Sequence, residues 1–268
     1  PNIIVAGEHH MLERYDMRTR QNREISPWPE SNWGWGDRDM KYRFQWTYPV
    51  VRSPHDQNVL YVTSQFVHKT TDEGQSWTTI SPDLTRHEPS RLEPMPSYGN
   101  EQPGQYWGPI TRDNTGVEWY STIFAFAESP IKKDVLWAGS DDGYVQVSRD
   151  GGKSWTNVTP KELPEFSLVS IIDPSPHDAG TAYVAANRYK LQDREPYLFK
   201  TTDYGKTWTK ITSGIPEGHF TRVIRADPGR AGILYAGTEG GVYVSLDDGG
   251  SWQSLQLNLP VTAVHDLA

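Results

Sequence analysis

Short apolar runs recur along the chain, each closed by a polar turn. Val59-Leu60-Tyr61-Val62, Val135-Leu136-Trp137-Ala138, Ala182-Tyr183-Val184-Ala185 and Ile233-Leu234-Tyr235-Ala236 form one series. Ahead of these lie others, such as Ile123-Phe124-Ala125-Phe126-Ala127 and Leu168-Val169-Ser170-Ile171-Ile172. After each turn comes an alternating polar stretch such as Trp77-Thr78-Thr79-Ile80. Apolar runs this short, rich in β-branched and aromatic residues and bounded by Gly, Pro and Asp, predict buried strands rather than helices.

The turns themselves repeat. Residues 70–77 (Thr-Thr-Asp-Glu-Gly-Gln-Ser-Trp) return at 148–155, 201–208 and 245–252 as Ser/Thr-x-Asp-x-Gly-x-Ser/Thr-Trp. The constrained positions are Asp72, Gly74 and Trp77, then Asp150, Gly152 and Trp155, then Asp203, Gly205 and Trp208, and last Asp247, Gly249 and Trp252. Asp accepts bonds from backbone N–H groups further along the turn, and Gly supplies a positive φ without steric cost. Both properties serve a tight turn, so these carboxylates read as structural; an acid or base repeated once per unit has no mechanistic use.

The spacings between successive Asp residues are 78, 53 and 44. Removing the Pro- and Gly-rich stretch 83–116 brings the first back to 44, and the second carries about nine extra residues around 188–196. Four short strands per ~44 residues is the signature of a β-propeller blade. The expectation is therefore all-β, a propeller of four-stranded blades with about five blade equivalents, either a closed five-bladed ring or part of a larger propeller. Blade-like units fall at 2–27, 43–82, 117–160, 166–213 and 219–256, and 261–268 reads as the first strand of a further or closing blade. The N-terminal unit is a worn copy, in which Arg14-Tyr15-Asp16-Met17 lacks the Gly and Trp of the turn.

Composition narrows the function. With 26 Lys and Arg against 34 Asp and Glu the net charge is -8, the wrong sign for backbone phosphates, so no nucleic acid partner is expected. The absence of Cys excludes disulfides and thiolate chemistry. No apolar run reaches membrane-spanning length. No His-Glu-x-x-His, phosphate-binding Gly-rich loop or calcium-loop spacing occurs, so neither metal nor cofactor is expected.

The four turns resemble the Asp-box, or bacterial neuraminidase repeat, of sialidases, xyloglucan-active glycoside hydrolases and sortilin-type receptors. The wider wording, Ser-Pro-His-Asp at 53–56 and 175–178 and Trp-Ala-Gly-Ser-Asp-Asp-Gly at 137–143, is similar to a bacterial group of exported sortilin-like or glycosyl-hydrolase-like repeat proteins. The resemblance implies a propeller, export to the periplasm or cell exterior, and a longer parent protein, since members of that group are much longer. The chain's start at Pro-Asn-Ile-Ile, without an initiator Met, fits that expectation. The Arg-Ile-Pro signature of sialidases is absent, which argues against that activity.

Topology points to one rim. The repeated turns join strands three and four, so the extra segments 28–41, 83–116 and 188–196 share the opposite rim. Loops on a rigid scaffold are where function concentrates. Four Trp residues fall in these segments, among them Trp33, Trp35 and Trp107. They either cap the blade edges or offer flat faces to a sugar or peptide. Entrances to the inner strands add Tyr42-Arg43-Phe44, Arg112, Asp113, Glu118, Trp119, Tyr120, His219 and Arg222, and Arg188 and Tyr189 overhang the same mouth. Such a mouth suits a ligand, although a propeller channel is polar in any case. The leading expectation is a binding module for a glycan or polypeptide. The alternatives are a polysaccharide-active glycoside hydrolase and a structural scaffold. A hydrolase needs two carboxylates flanking the scissile bond; Asp113, Glu118 and Asp266 are candidates by position, and no catalytic pair is nominated.

Overall fold

The computed structural model describes residues 2–8, 11–30, 39–88 and 119–268. Among these residues it is all-β, with 19 strands and a short 3₁₀ turn at Tyr189–Leu191. The chain divides into two compact units, Pro1–Phe124 and Ala125–Ala268.

Consecutive strands pair in order, as short turns require of antiparallel meanders. The first sheet holds β1 (Ile3–Glu8), β2 (Met11–Asp16) and β3 (Gln21–Glu24). The second holds β4 (Val50–Arg52), β5 (Leu60–Thr63), β6 (Val67–Thr70) and β7 (Thr78–Thr79). The third runs from β8 (Ile123–Glu128) through β9 (Leu136–Ser140) and β10 (Val145–Ser148) to β11 (Thr156–Asn157). The fourth has β12 (Leu168–Pro174), β13 (Ala182–Arg188), β14 (Asp193–Thr201) and β15 (Thr209–Lys210). The fifth has β16 (Thr221–Ala226), β17 (Leu234–Thr238), β18 (Gly241–Ser245) and β19 (Gln253–Ser254). These are the blades of a β-propeller. The first series of apolar runs falls on the second strands β5, β9, β13 and β17, the runs ahead of them on the first strands β8 and β12, and the polar stretch after each turn is an exposed two-residue outer strand.

The four repeated turns share one hydrogen-bond network. In the third copy Thr201 Oγ1 donates to Asp203 Oδ1 at 2.9 Å, while the N–H and hydroxyl of Thr207 donate to the same carboxylate at 2.9 and 2.7 Å. Gly205 N–H donates back to Thr201 Oγ1 at 2.9 Å. Equivalent bonds hold Asp72, Asp150 and Asp247.

The indole that follows does more than pack beneath its own blade. Trp77 Nε1 donates to Ile25 O at 2.8 Å, Trp208 Nε1 to Val158 O and Trp252 Nε1 to Ile211 O, both at 2.6 Å. Each acceptor is the residue just past the outer strand of the preceding blade. That residue is β-branched and presses into the turn glycine. A Cβ on Gly205, at φ +83°, would lie 2.6 Å from Val158 Cβ. The Gly is therefore required twice, by backbone conformation and by the neighbouring blade.

The Ser hydroxyls, then their backbone N–H groups, hold Asp72 and Asp150 down to about 2 from an ordinary 3.8. A depressed folded-state pKa contributes stability above the unfolded value that disappears as pH falls through the folded one. Unfolding midpoints are expected to drop between about pH 4 and pH 2, and Asp72→Asn and Asp150→Asn to flatten that limb in urea titrations.

Two expectations are corrected. Segment 261–268 forms no strand. It is held by isolated bonds, Val264 N–H to Thr238 O at 2.9 Å and Arg225 Nε to Leu267 O at 3.0 Å, and no strand among the described residues forms a ladder with it. Tyr42-Arg43-Phe44 does not line a mouth. Arg43 is buried, with Nε donating to Ser121 O at 3.0 Å and Nη2 3.2 Å from Asp83 Oδ2, and Phe44 packs beside Tyr48 and His68.

Candidate functional site

The extra residues 188–196 do not form a loop. They lengthen the β13–β14 hairpin, with Arg188 opposite Asp193 beyond a register irregularity that follows Ala186. The extension closes in a 3₁₀ turn, Tyr189–Leu191, ended by Gln192 at φ 62°. Arg188 Nη1 binds Asp193 Oδ2 at 2.6 Å, and Tyr197 OH donates to the same oxygen at 2.8 Å. Burial works against the Asp193 charge, but the Glu195 N–H, the Tyr197 hydroxyl and Arg188 together leave its pKa lowered. Burial and this carboxylate push Tyr197 up to about 12. The pair is a brace for the turn.

The brace presents Tyr189, which stacks on Phe220 of the next blade with centroids 5.2 Å apart and planes 13° from parallel. Phe220 is buried, while Tyr189 stays 38% exposed. The Arg222 guanidinium lies 5.1 Å from the Tyr189 ring centre and 4.8 Å from that of Phe220. Glu239, in the β17–β18 turn, takes Arg222 Nε and Nη2 on a single oxygen at 2.8 and 2.6 Å. Beside this group His219 Nδ1 lies 2.8 Å from Tyr243 OH. The imidazole covers Gly240 so closely that a Cβ there would overlap the ring.

Four of the expected residues, Arg188, Tyr189, His219 and Arg222, thus come together on the second unit. Trp119 and Tyr120 are elsewhere and buried, 6% and 4% exposed, with Trp119 O accepting from Gln45 Nε2 at 3.1 Å. A buried ring offers no face to solvent, which corrects their assignment to a ligand surface. Trp33, Trp35, Trp107, Arg112, Asp113 and Glu118 lie outside the described residues. Asp266 pairs with Arg225 at 2.8 Å. The sequence reading does not single out Glu239 and Tyr243. Glu239 sits in Thr-Glu-Gly-Gly, which reads as a plain hairpin turn; its signal was that this hairpin shares the rim of the 188–196 extension.

The arrangement offers an aromatic face beside a charge-balanced donor and acceptor pair, suited to a neutral ligand rich in hydroxyls. Among the described residues no group of three or more His, Asp and Glu could hold a metal, and no helix is long and apolar enough to cross a membrane.

No family model matches the chain. It is 23% identical over 185 residues to an oligoxyloglucan-reducing end-specific xyloglucanase of Emericella nidulans, a match covering 64% of this chain and 22% of that enzyme. It is 33% identical over 107 residues to vacuolar protein sorting/targeting protein 10 of Laccaria bicolor, covering 38% and 6% of the two chains. Among solved structures it resembles the GH74 xyloglucanase of Xanthomonas campestris, with a TM-score of 0.59 and 18% identity over 94% of this chain and 36% of that one. The chain thus spans roughly a fifth to a third of these xyloglucanases. The structural likeness is one of fold, and it agrees with a propeller.

Proposed function

We propose that this chain is a glycan-binding portion of an exported, polysaccharide-active glycoside hydrolase of the Asp-box propeller kind. The observation that carries the reading is the Tyr189–Phe220 stack with Arg222 and Glu239 beside it. Sugar rings lay their C–H faces on an aromatic side chain, and a paired guanidinium and carboxylate bond neighbouring hydroxyls. Glu239 balances Arg222, so the platform favours a neutral polysaccharide over a charged one. The names of the similar xyloglucanases support a glucan, and shift the balance from a stand-alone binding module towards part of a hydrolase. Segment 261–268, which forms no strand here, then takes the place of the inner strand of a further or closing blade. In support, Val264 N–H bonds Thr238 O at the end of β17, as Ile123 N–H bonds Ser64 O just past β5.

Affinity electrophoresis in xyloglucan gels tests the platform. Retardation is expected, and Tyr189→Ala should weaken it about tenfold, the share of an aromatic stack worth ~1.4 kcal/mol. Unchanged retardation in the variant, or binding of peptides and no glycan, would overturn the reading. A reducing-end assay on the chain alone asks where cleavage lies. Release lost in Glu118→Gln or Asp113→Asn would put it in this portion, while binding without release would put it elsewhere in a longer parent.

A further inference from the structure

An open cavity of about 500 Å³ lies on the first sheet, where residues 17–20 replace the repeated turn. Every residue that lines it is polar or charged. Arg14 on β2 and Arg23 on β3 are direct cross-strand partners and both line it, with Gln21 and Asn22. Two cations facing each other across a ladder repel, and the arrangement calls for an anion between them.

The group that answers is Glu73, from the turn of the second sheet. Its Oε2 lies 2.7 Å from Arg14 Nη2, and its main-chain oxygen accepts from Arg23 Nη2 at 2.8 Å. The fit is incomplete. Glu73 engages one nitrogen of the Arg14 fork, and the adjacent Nε is buried with no hydrogen-bond partner among the described residues. The Glu73 side chain is itself 57% exposed. The other carboxylate in the wall, Asp16, is already taken by the backbone and side chain of Arg18.

We propose that this cavity is a carboxylate-binding site in which Glu73 holds, from within the chain, the place of an external carboxylate. An incoming carboxylate set side-on to Arg14 bonds Nε and Nη2 together, the bidentate geometry that Glu73 does not achieve, and Arg23 supplies the second charge. The ligand is an organic acid, free or as an acidic sugar residue. The site stands apart from the Tyr189 platform and does not depend on that function.

Glu73 competes with the ligand, so removing its charge should help binding. Exposed ion pairs of this kind are closed only part of the time, and Glu73→Gln is expected to tighten D-glucuronate roughly two- to sixfold. Arg23→Gln should weaken it about tenfold or more, and glucose should not bind. NMR titration of the whole chain, following the Arg14 Nε–H signal, gives these affinities. If Glu73 served only to join the two sheets, Glu73→Gln would lower the unfolding temperature and leave glucuronate affinity unchanged, and the proposal would fall. Glucose binding as tightly as glucuronate would also overturn it. Acetate as a further probe separates the sources: equal affinity assigns a free acid, weaker affinity an acidic sugar, and either supports a carboxylate site.

Discussion

Trp252→Ala is expected to destabilise the second unit by about 3–5 kcal/mol, the range for truncating a large aromatic in a packed core. Trp252 is the most buried of the repeated-turn indoles in the structure, and it packs in a cluster with Ile211, Ile215, Leu234 and Tyr243. Its loss removes the ring and the bond to Ile211 O, and it exposes the edge of the fourth blade. Trp252→Phe keeps part of the volume and loses the hydrogen bond, and should cost about 1–2 kcal/mol. Trp208, only partly buried, should cost less than Trp252 when truncated. Urea unfolding of the three variants gives the order. A loss below about 1 kcal/mol for Trp252→Ala would mean that the indole does not join the blades.

The contrast between what the turn spells out and what it does not is physical. Thr201, Asp203, Gly205 and Thr207 bond one another over separations of two to four residues, so the spacing alone dictates the turn. Its partners in the preceding blade are 41 to 52 residues away for the three indoles. Ile25, Val158 and Ile211 look like ordinary apolar residues at the end of a polar strand, and nothing local marks them as acceptors. Burial was equally hidden. Trp119 and Tyr120 have the composition of a binding face and are core residues, because the same ring serves either purpose. The repeat spacing marks 188–196 only as extra residues; in the structure Pro196 falls in the irregular stretch of β14 between Arg188↔Asp193 and Ala186↔Tyr197, where its missing N–H breaks no ladder bond. Topology put Tyr189 and Arg222 at one mouth, and in the structure the Arg222 guanidinium lies 5.1 Å from the Tyr189 ring centre.

His68 sets a second large effect, in pH. It is buried on β6, with Nε2 2.9 Å from Ser64 Oγ and Nδ1 3.2 Å from Thr79 Oγ1. Tyr42 stands edge-on to its ring with centroids 4.6 Å apart, and Phe44 and Phe66 pack around it. Both neighbouring hydroxyls can serve a neutral imidazole, and the charge acting on it among the described residues is the Lys41 ammonium. Burial first, then Lys41, lowers its pKa from 6.5 to about 4. The folded state therefore refuses a proton that the unfolded chain accepts between those values. Stability is full above about pH 6.5 and declines as pH falls towards 4, by on the order of 3 kcal/mol across the window. Urea midpoints of the first unit at pH 7, 5.5 and 4 should show that slope. In His68→Phe the baseline stability changes as the two hydrogen bonds go, but the slope over this window should vanish, while the acid limb from Asp72 persists below pH 4. A slope that survives in the variant would move the titration to another group. The lost term is specific to this blade, since its counterpart in the fourth sheet, Phe199, carries no proton.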